Sequence, residues 1–148
     1  MSKRSDEAMA MFKDGFNCAQ SVLACGGRDL GMSRETAIRL GETFGGGMCY
    51  LGQTCGAVTG ALMAFGLKYS RGESKDAAMG QKAREAAREF ATRFVARYGS
   101  INCTQILGHD LGQPAELEAA RKEGLFATVC AKAVGDAVEI LEEVLKSA

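Results

Sequence analysis

LFATVCAKAVGDAVEILEEV, residues 125–144, decides the fold class. Leu125, Phe126, Val129, Cys130, Ala133, Val134, Ala137, Val138, Leu141 and Val144 recur at spacings of three and four, the period that lines one face of an α-helix. The same period returns upstream in Ala83, Ala86, Ala87, Phe90, Ala91, Phe94 and Tyr98. Between them lie an Asn at 102 and the only Pro of the chain, at 114, both suited to open helices. Alternating strand patterns are nearly absent, so the reading is an all-α, single-domain bundle of about six helices over residues 1–148.

Working outward, Ser5 is read as the cap of the first helix, which Gly15 breaks. A second helix runs from Asn17 to Cys25 and stops at Gly26 and Gly27, and Ser33 caps a third through Leu40. Residues 43–67 carry no charge and include seven glycines. Their apolar part, 55–67, is shorter than the ~20 residues a bilayer requires. A membrane partner is therefore not expected, and the segment reads as a buried, glycine-rich central helix. Gly56, Gly60 and Ala64 leave one of its faces nearly bare for a neighbouring helix or for a two-fold homodimer. Ser74 is read as the cap of the long helix that follows.

The chain has 148 residues, 18 basic and 18 acidic, 47% hydrophobic. A chain of this size buries about 70% of its unfolded surface, so its core needs no disulfides. Zero net charge removes the counterion-release driving force for nucleic acid. Residues 68–99 hold eight basic and four acidic groups and residues 100–148 the reverse, four and eight, so the two regions either pair or face a second subunit. The opening MSKRSDEAMA lacks an apolar secretory core, and a cytoplasmic location is expected. In that compartment clustered cysteines bind metal or do redox chemistry more often than they staple a fold.

Six cysteines are present. Asn17, Thr54 and Asn102 precede Cys18, Cys55 and Cys103, which places three sulfurs at helix starts, where free amides and the helix dipole favour a thiolate. NCAQSVL at 17–23 and NCTQIL at 102–107 share N-C-x-Q, a weak internal repeat. Cys130 falls on the apolar stripe of the last helix, facing the core. Cys25 and Cys49 stand outside this pattern. His109, the only histidine, sits beside Asp110 in a polar stretch and is expected in solvent. Glu42 is read as a helix-end carboxylate. The glycines at 45–47 lack the Lys-Ser/Thr of a phosphate loop, and no C-x-x-C exists, which excludes a thioredoxin-type active site.

The order Cys18, CGAVTG at 55–60, Cys103, Cys130, with GFNCAQSVL at 15–23 and FGGGM at 44–48, resembles the C_GCAxxG_C_C family, small prokaryotic proteins with four characteristic cysteines. The resemblance covers essentially the whole chain and implies a redox role for Cys18, Cys55, Cys103 and Cys130, with Gly56, Ala57 and Gly60 as the motif's small residues at the site. Here residue 54 is Thr and the order is CGAxxG rather than the GCAxxG of the family label.

Three functions follow. In the first, the four cysteines work by thiol-disulfide exchange with an unidentified redox partner, as a candidate oxidoreductase, and Cys55 is the leading nucleophile. In the second, the same four thiolates hold an iron-sulfur cluster or Zn, although separations of 37, 48 and 27 residues lack short chelating pairs. In the third, the chain is a non-enzymatic helical accessory protein.

Overall fold

The computed structural model describes residues 2–147. Among these it contains eight α-helices and no strand: α1 (Lys3–Lys13), α2 (Cys18–Gly26), α3 (Arg34–Gly41), α4 (Gly56–Tyr69), α5 (Ala77–Tyr98), α6 (Cys103–Leu107), α7 (Pro114–Lys122) and α8 (Ala131–Ser147), with a π-helical turn, Phe126–Cys130, leading into α8. The all-α expectation holds and the count of six falls short. The helix starts read at Asn102 and Pro114 are both realised, as the short helices α6 and α7.

Helix starts follow the capping chemistry, with three shifts. Ser2, not Ser5, caps α1; Ser5 lies inside the helix, buried, and its hydroxyl donates to the Gly135 carbonyl of α8 at 2.8 Å. Asp76, not Ser74, caps α5, accepting from the Met79 amide. Asp and Ser both satisfy free first-turn amides, so composition alone does not choose between neighbouring candidates. Cys55 itself occupies the cap position of α4, one residue later than a Thr54 cap requires, and Thr54 instead pairs with Asn102 in an isolated antiparallel bridge.

The main core joins α2, α4, α5 and α8 through Val22, Leu23, Val58, Phe65, Phe90, Phe94, Val138 and Leu141, all fully buried. Phe65, Phe90, Phe94 and Tyr98 form a ladder with successive ring centroids 6.0, 5.8 and 4.7 Å apart. At its end the Tyr98 hydroxyl donates to buried Asp136 at 2.6 Å, which also receives Lys132 at 2.6 Å and lies 3.4 Å from Arg97. Arg93 reaches Glu143 as well, so the basic α5 and the acidic α8 neutralise each other within one chain. Gly60 is packed against α2, where an added Cβ would lie 2.9 Å from the Ala19 carbonyl oxygen. A smaller cluster of Cys103, Leu107, Leu111 and Ala120 lies under α6 and α7, and Cys130 packs against both clusters. No helix among the described residues is long and apolar enough to cross a membrane.

Candidate functional site

Cys18, Cys55, Cys103 and Cys130 all line one cavity of about 120 Å³. It opens where the two apolar clusters meet, and no charged side chain lines it; Phe12, Phe16, Leu111, Phe126 and Val129 make much of its wall. Four separate elements bring the sulfurs there, which is why sequence spacing carries no chelating signature.

Cys18 is the first residue of α2. Asn17 caps this helix with a reciprocal pair of bonds: its side chain accepts from the Gln20 amide at 2.8 Å, and the Gln20 side chain accepts from the Asn17 amide at 2.9 Å. The Asn17 carboxamide also donates to the carbonyls of Gly41 and Glu42, which ties the start of α2 to the end of α3. Asn102 caps α6 similarly, accepting from the Gln105 amide, while the Gln105 side chain turns to Ser100. The N-C-x-Q repeat is thus a capping device used twice, each time setting a cysteine at a first helical turn.

Cys55 and Cys103 are tied through the backbone. The Cys55 amide donates to the Ile101 carbonyl at 2.8 Å and the Cys103 amide to Gln53 at 2.6 Å, flanking the Thr54–Asn102 bridge. The Thr104 hydroxyl adds a bond to the Gly52 carbonyl at 2.7 Å. Cys130 ends the π-helical turn and is only partly buried, whereas an unbroken helix would have placed it mid-helix on the core face. A π-helical turn is a common way to re-aim side chains at functional sites.

The loop before α4 shapes the cavity's rim. Residues 46–50 all have positive φ, including Met48 (66°), Cys49 (51°) and Tyr50 (56°). A non-glycine residue in this region costs about 1–2 kcal/mol. The turn is held by bonds from Cys49 to Thr43 (2.6 Å), Tyr50 to Gly45 (3.0 Å), Gly52 to Gly46 (3.1 Å) and Gln53 to Gly47 (2.8 Å). Gly47 combines a left-handed backbone with a close approach, since a Cβ there would sit 2.7 Å from that of Cys103. Gly46, Gly47 and Tyr50 line the cavity, and nothing in the sequence except the glycine run pointed to this segment.

The thiols differ electrostatically. Cys55 is held below the ordinary thiol value, first by the hydrogen bond it accepts from Cys18, against the opposing effect of burial, and then by the Ala57 and Val58 amides. Those amides lie at the start of α4; their dipoles act on the sulfur although it makes no full capping hydrogen bond. Cys18 is driven well above the ordinary value because the neighbouring Cys130 and Cys55 favour its protonated form and because it is buried. Burial pushes Cys103 up to about 12, with the charges of Cys55, Cys130 and Asp110 adding to it.

Gly56 also lines the cavity, and an added Cβ there would lie 3.0 Å from the Cys18 Cβ and 2.9 Å from the Ala19 amide nitrogen. Ala57 is buried behind the rim, and Gly60 one turn on packs against α2 away from the cavity lining. Cys25 is buried against Met11, its sulfur 3.7 Å from the thioether, and Cys49 is exposed; neither lines the cavity. All six cysteines are free thiols. Among the described residues no group of three or more His, Cys, Asp or Glu side chains is arranged to hold a metal ion. His109 corrects its expected exposure: its side chain is 19% exposed, clamped between Glu116 and Glu123. Seven residues separate it from Glu116 and fourteen from Glu123, and α7 brings both back to the loop. Glu42 is exposed at the end of α3, where it accepts from Gln20 at 2.6 Å.

A family model described as "Putative redox-active protein (C_GCAxxG_C_C)" matches residues 16–144, a span that holds all four cavity cysteines. The match is made with Thr54 and CGAVTG in place, so the order of letters in the label does not set this chain apart. No curated protein and no solved structure matches the chain. With the family model covering nearly the whole chain and its cysteines lining one cavity, this protein is a member of the C_GCAxxG_C_C family.

Proposed function

We propose that the redox chemistry of this protein is carried by Cys55 and Cys18 acting as a dithiol. One arrangement carries the reading: Cys55 at the N-cap of α4, its pKa lowered, and Cys18 at the first residue of α2, its pKa raised, line the same cavity as the other two family cysteines. Thiolate fraction governs attack on an oxidant or disulfide, so Cys55 is the nucleophile, and Cys18 closes the intramolecular disulfide. Cys130, the most accessible of the four, lines the same cavity and is the route by which a redox partner reaches the pair. Cys103 stays protonated at neutral pH and completes the wall. The small residues act by what they leave out or expose. Gly56 and Gly60 let α2 and α4 approach until Cys18 meets Cys55, and Ala57 supplies an amide.

Equilibrating the reduced chain in dithiothreitol redox buffers and mapping its peptides tests this. The expected result is one disulfide, Cys18–Cys55, formed reversibly and absent from Cys55→Ser. Persistence of both thiols under buffers that oxidise ordinary dithiols contradicts it.

A second reading is supported by a specific observation: the four thiols surround an apolar cavity with room between them, which a disulfide does not need. Four cysteine donors within apolar walls suit an iron-sulfur cluster held by Cys18, Cys55, Cys103 and Cys130, which would supply one-electron transfer. Among the described residues no group of three or more donors is arranged to hold a metal ion, which weighs against a single zinc ion and against a cluster alike. Iron and sulfide analysis of anaerobically isolated protein separates the readings: stoichiometric iron with a visible absorption band favours the cluster, and colourless protein with free thiols favours the dithiol.

A further inference from the structure

We propose that the cavity admits small, uncharged alkyl hydroperoxides and that the Cys55 sulfur is the atom they oxidise. This rests on the dithiol reading above. Three features define the substrate class. The first is size: about 120 Å³ is somewhat less than the roughly 150 Å³ apolar cavity known to take benzene. That leaves room for a compact molecule and none for a peptide disulfide or glutathione.

The second is polarity. With no charged side chain on the lining and Phe12, Phe16, Leu111 and Phe126 on the walls, a charged oxidant loses its hydration without a partner. A short alkyl group is welcome there.

The third is the placement of protons. Cys55 occupies the N-cap of α4, where the helix dipole and first-turn amides favour a thiolate, and Cys18, at the start of α2, lines the same cavity and supplies the proton. The Cys55 thiolate attacks the distal peroxide oxygen, a sulfur–oxygen bond forms, the oxygen–oxygen bond breaks, and the departing alkoxide takes the Cys18 proton to leave as an alcohol. The resulting Cys18 thiolate attacks the Cys55 sulfenic acid, the disulfide forms, and hydroxide departs to take a proton from solvent as water. Two sulfurs lose two electrons in total and the peroxide gains them.

Exposed Cys49 supplies an internal control, because it meets every reagent without entering the cavity. The fully reduced chain is treated with tert-butyl hydroperoxide, with the bulkier cumene hydroperoxide and with oxidised glutathione, and oxidation is followed at each cysteine by peptide mass. With tert-butyl hydroperoxide, Cys55 is expected to react faster than Cys49 by about tenfold or more, as a poised thiolate beside a proton donor should. Cumene hydroperoxide should lose that advantage, and glutathione should mark Cys49 and leave Cys55 untouched. In Cys18→Ala the sulfenic acid on Cys55 should persist and be trapped by dimedone. Equal rates at Cys49 and Cys55, or a glutathione adduct on Cys55, overturns the proposal whether or not Cys18→Ala folds. If redox buffers form Cys18–Cys55 while tert-butyl hydroperoxide does not, this proposal fails and the dithiol reading stands; if neither does, both fail.

Discussion

Two glycines of α4 should respond to the same substitution with opposite signs. At Gly56 an added Cβ would lie 2.9 Å from the Ala19 amide nitrogen, 3.0 Å from the Cys18 Cβ and 3.1 Å from the Phe44 carbonyl oxygen. Two of these neighbours are backbone, so α2 or the loop must move, and overpacking of this kind costs about 1–3 kcal/mol. At Gly66, nearly three turns along the same helix, an added Cβ meets nothing within 4 Å. There Ala only removes the entropic penalty of a helical glycine, a gain of about 0.5–1 kcal/mol. The two variants should therefore differ by roughly 1.5–4 kcal/mol, which at a urea m-value of about 2 kcal/mol/M separates their unfolding midpoints by roughly 0.75–2 M. Gly56→Ala should also slow closure of the Cys18–Cys55 disulfide, which Gly66→Ala should leave unchanged. Equal midpoints, or a Gly56→Ala variant more stable than the parent, would refute the argument that these glycines set the spacing of α2 and α4.

The remaining expectations concern single side chains. Removing the proton donor in Cys18→Ala should raise the pKa of Cys55, measured by thiolate absorbance or by the pH dependence of its alkylation; no change would mean that the Cys18 hydrogen bond does not set it. Glu116 and Glu123 raise the pKa of His109 above 6.5 in the folded chain, so its contribution to stability is full below the unfolded-state pKa and is lost as pH rises through the folded-state value. The difference in urea midpoint between the parent and His109→Gln should accordingly be largest at mildly acid pH and shrink as pH rises; a difference that grows with pH reverses the sign of the argument. Tyr98→Phe removes the 2.6 Å bond to buried Asp136 and should cost about 1.5–3 kcal/mol, with Lys132 and Arg97 holding the loss towards the lower end. Denaturant unfolding checks this, and an unchanged midpoint would mean the remaining cations satisfy Asp136 alone.

Much of the helical layout was legible because its signals are local. The apolar stripe of α8, the Asn17 and Asn102 caps and Pro114 at the start of α7 each act through neighbours within a turn or two. The same locality explains the errors. Ser5 and Ser2 look alike as caps until Gly135, from the far end of the chain, claims the Ser5 hydroxyl. The π-helical turn at Phe126–Cys130 leaves a nearly helical pattern of residues, so Cys130 read as mid-helix. His109 looked solvated because its two carboxylate partners arrive from the first turn of α7 and from the residue that ends it.

At the site, the four cysteines and their convergence were expected from the sequence, and the backbone that brings them together was not. Cys55 and Cys103 are joined by backbone bonds across the Thr54–Asn102 bridge, a feature without a side-chain signature. The left-handed run at 46–50 was foreshadowed by glycines at 45–47, yet its continuation through Met48, Cys49 and Tyr50 runs against residue preference. Only the surrounding hydrogen bonds, formed after the chain has folded, hold it there.

The most direct test of the central claim is to follow the cysteine Cβ resonances of the full chain by ¹³C NMR, with selectively labelled cysteine, through reversible oxidation. The Cys18–Cys55 dithiol predicts that these two resonances move together into the disulfide range while Cys25, Cys49, Cys103 and Cys130 stay as thiols. Oxidation that moves any other pair first, or that leaves Cys55 a thiol throughout, contradicts it.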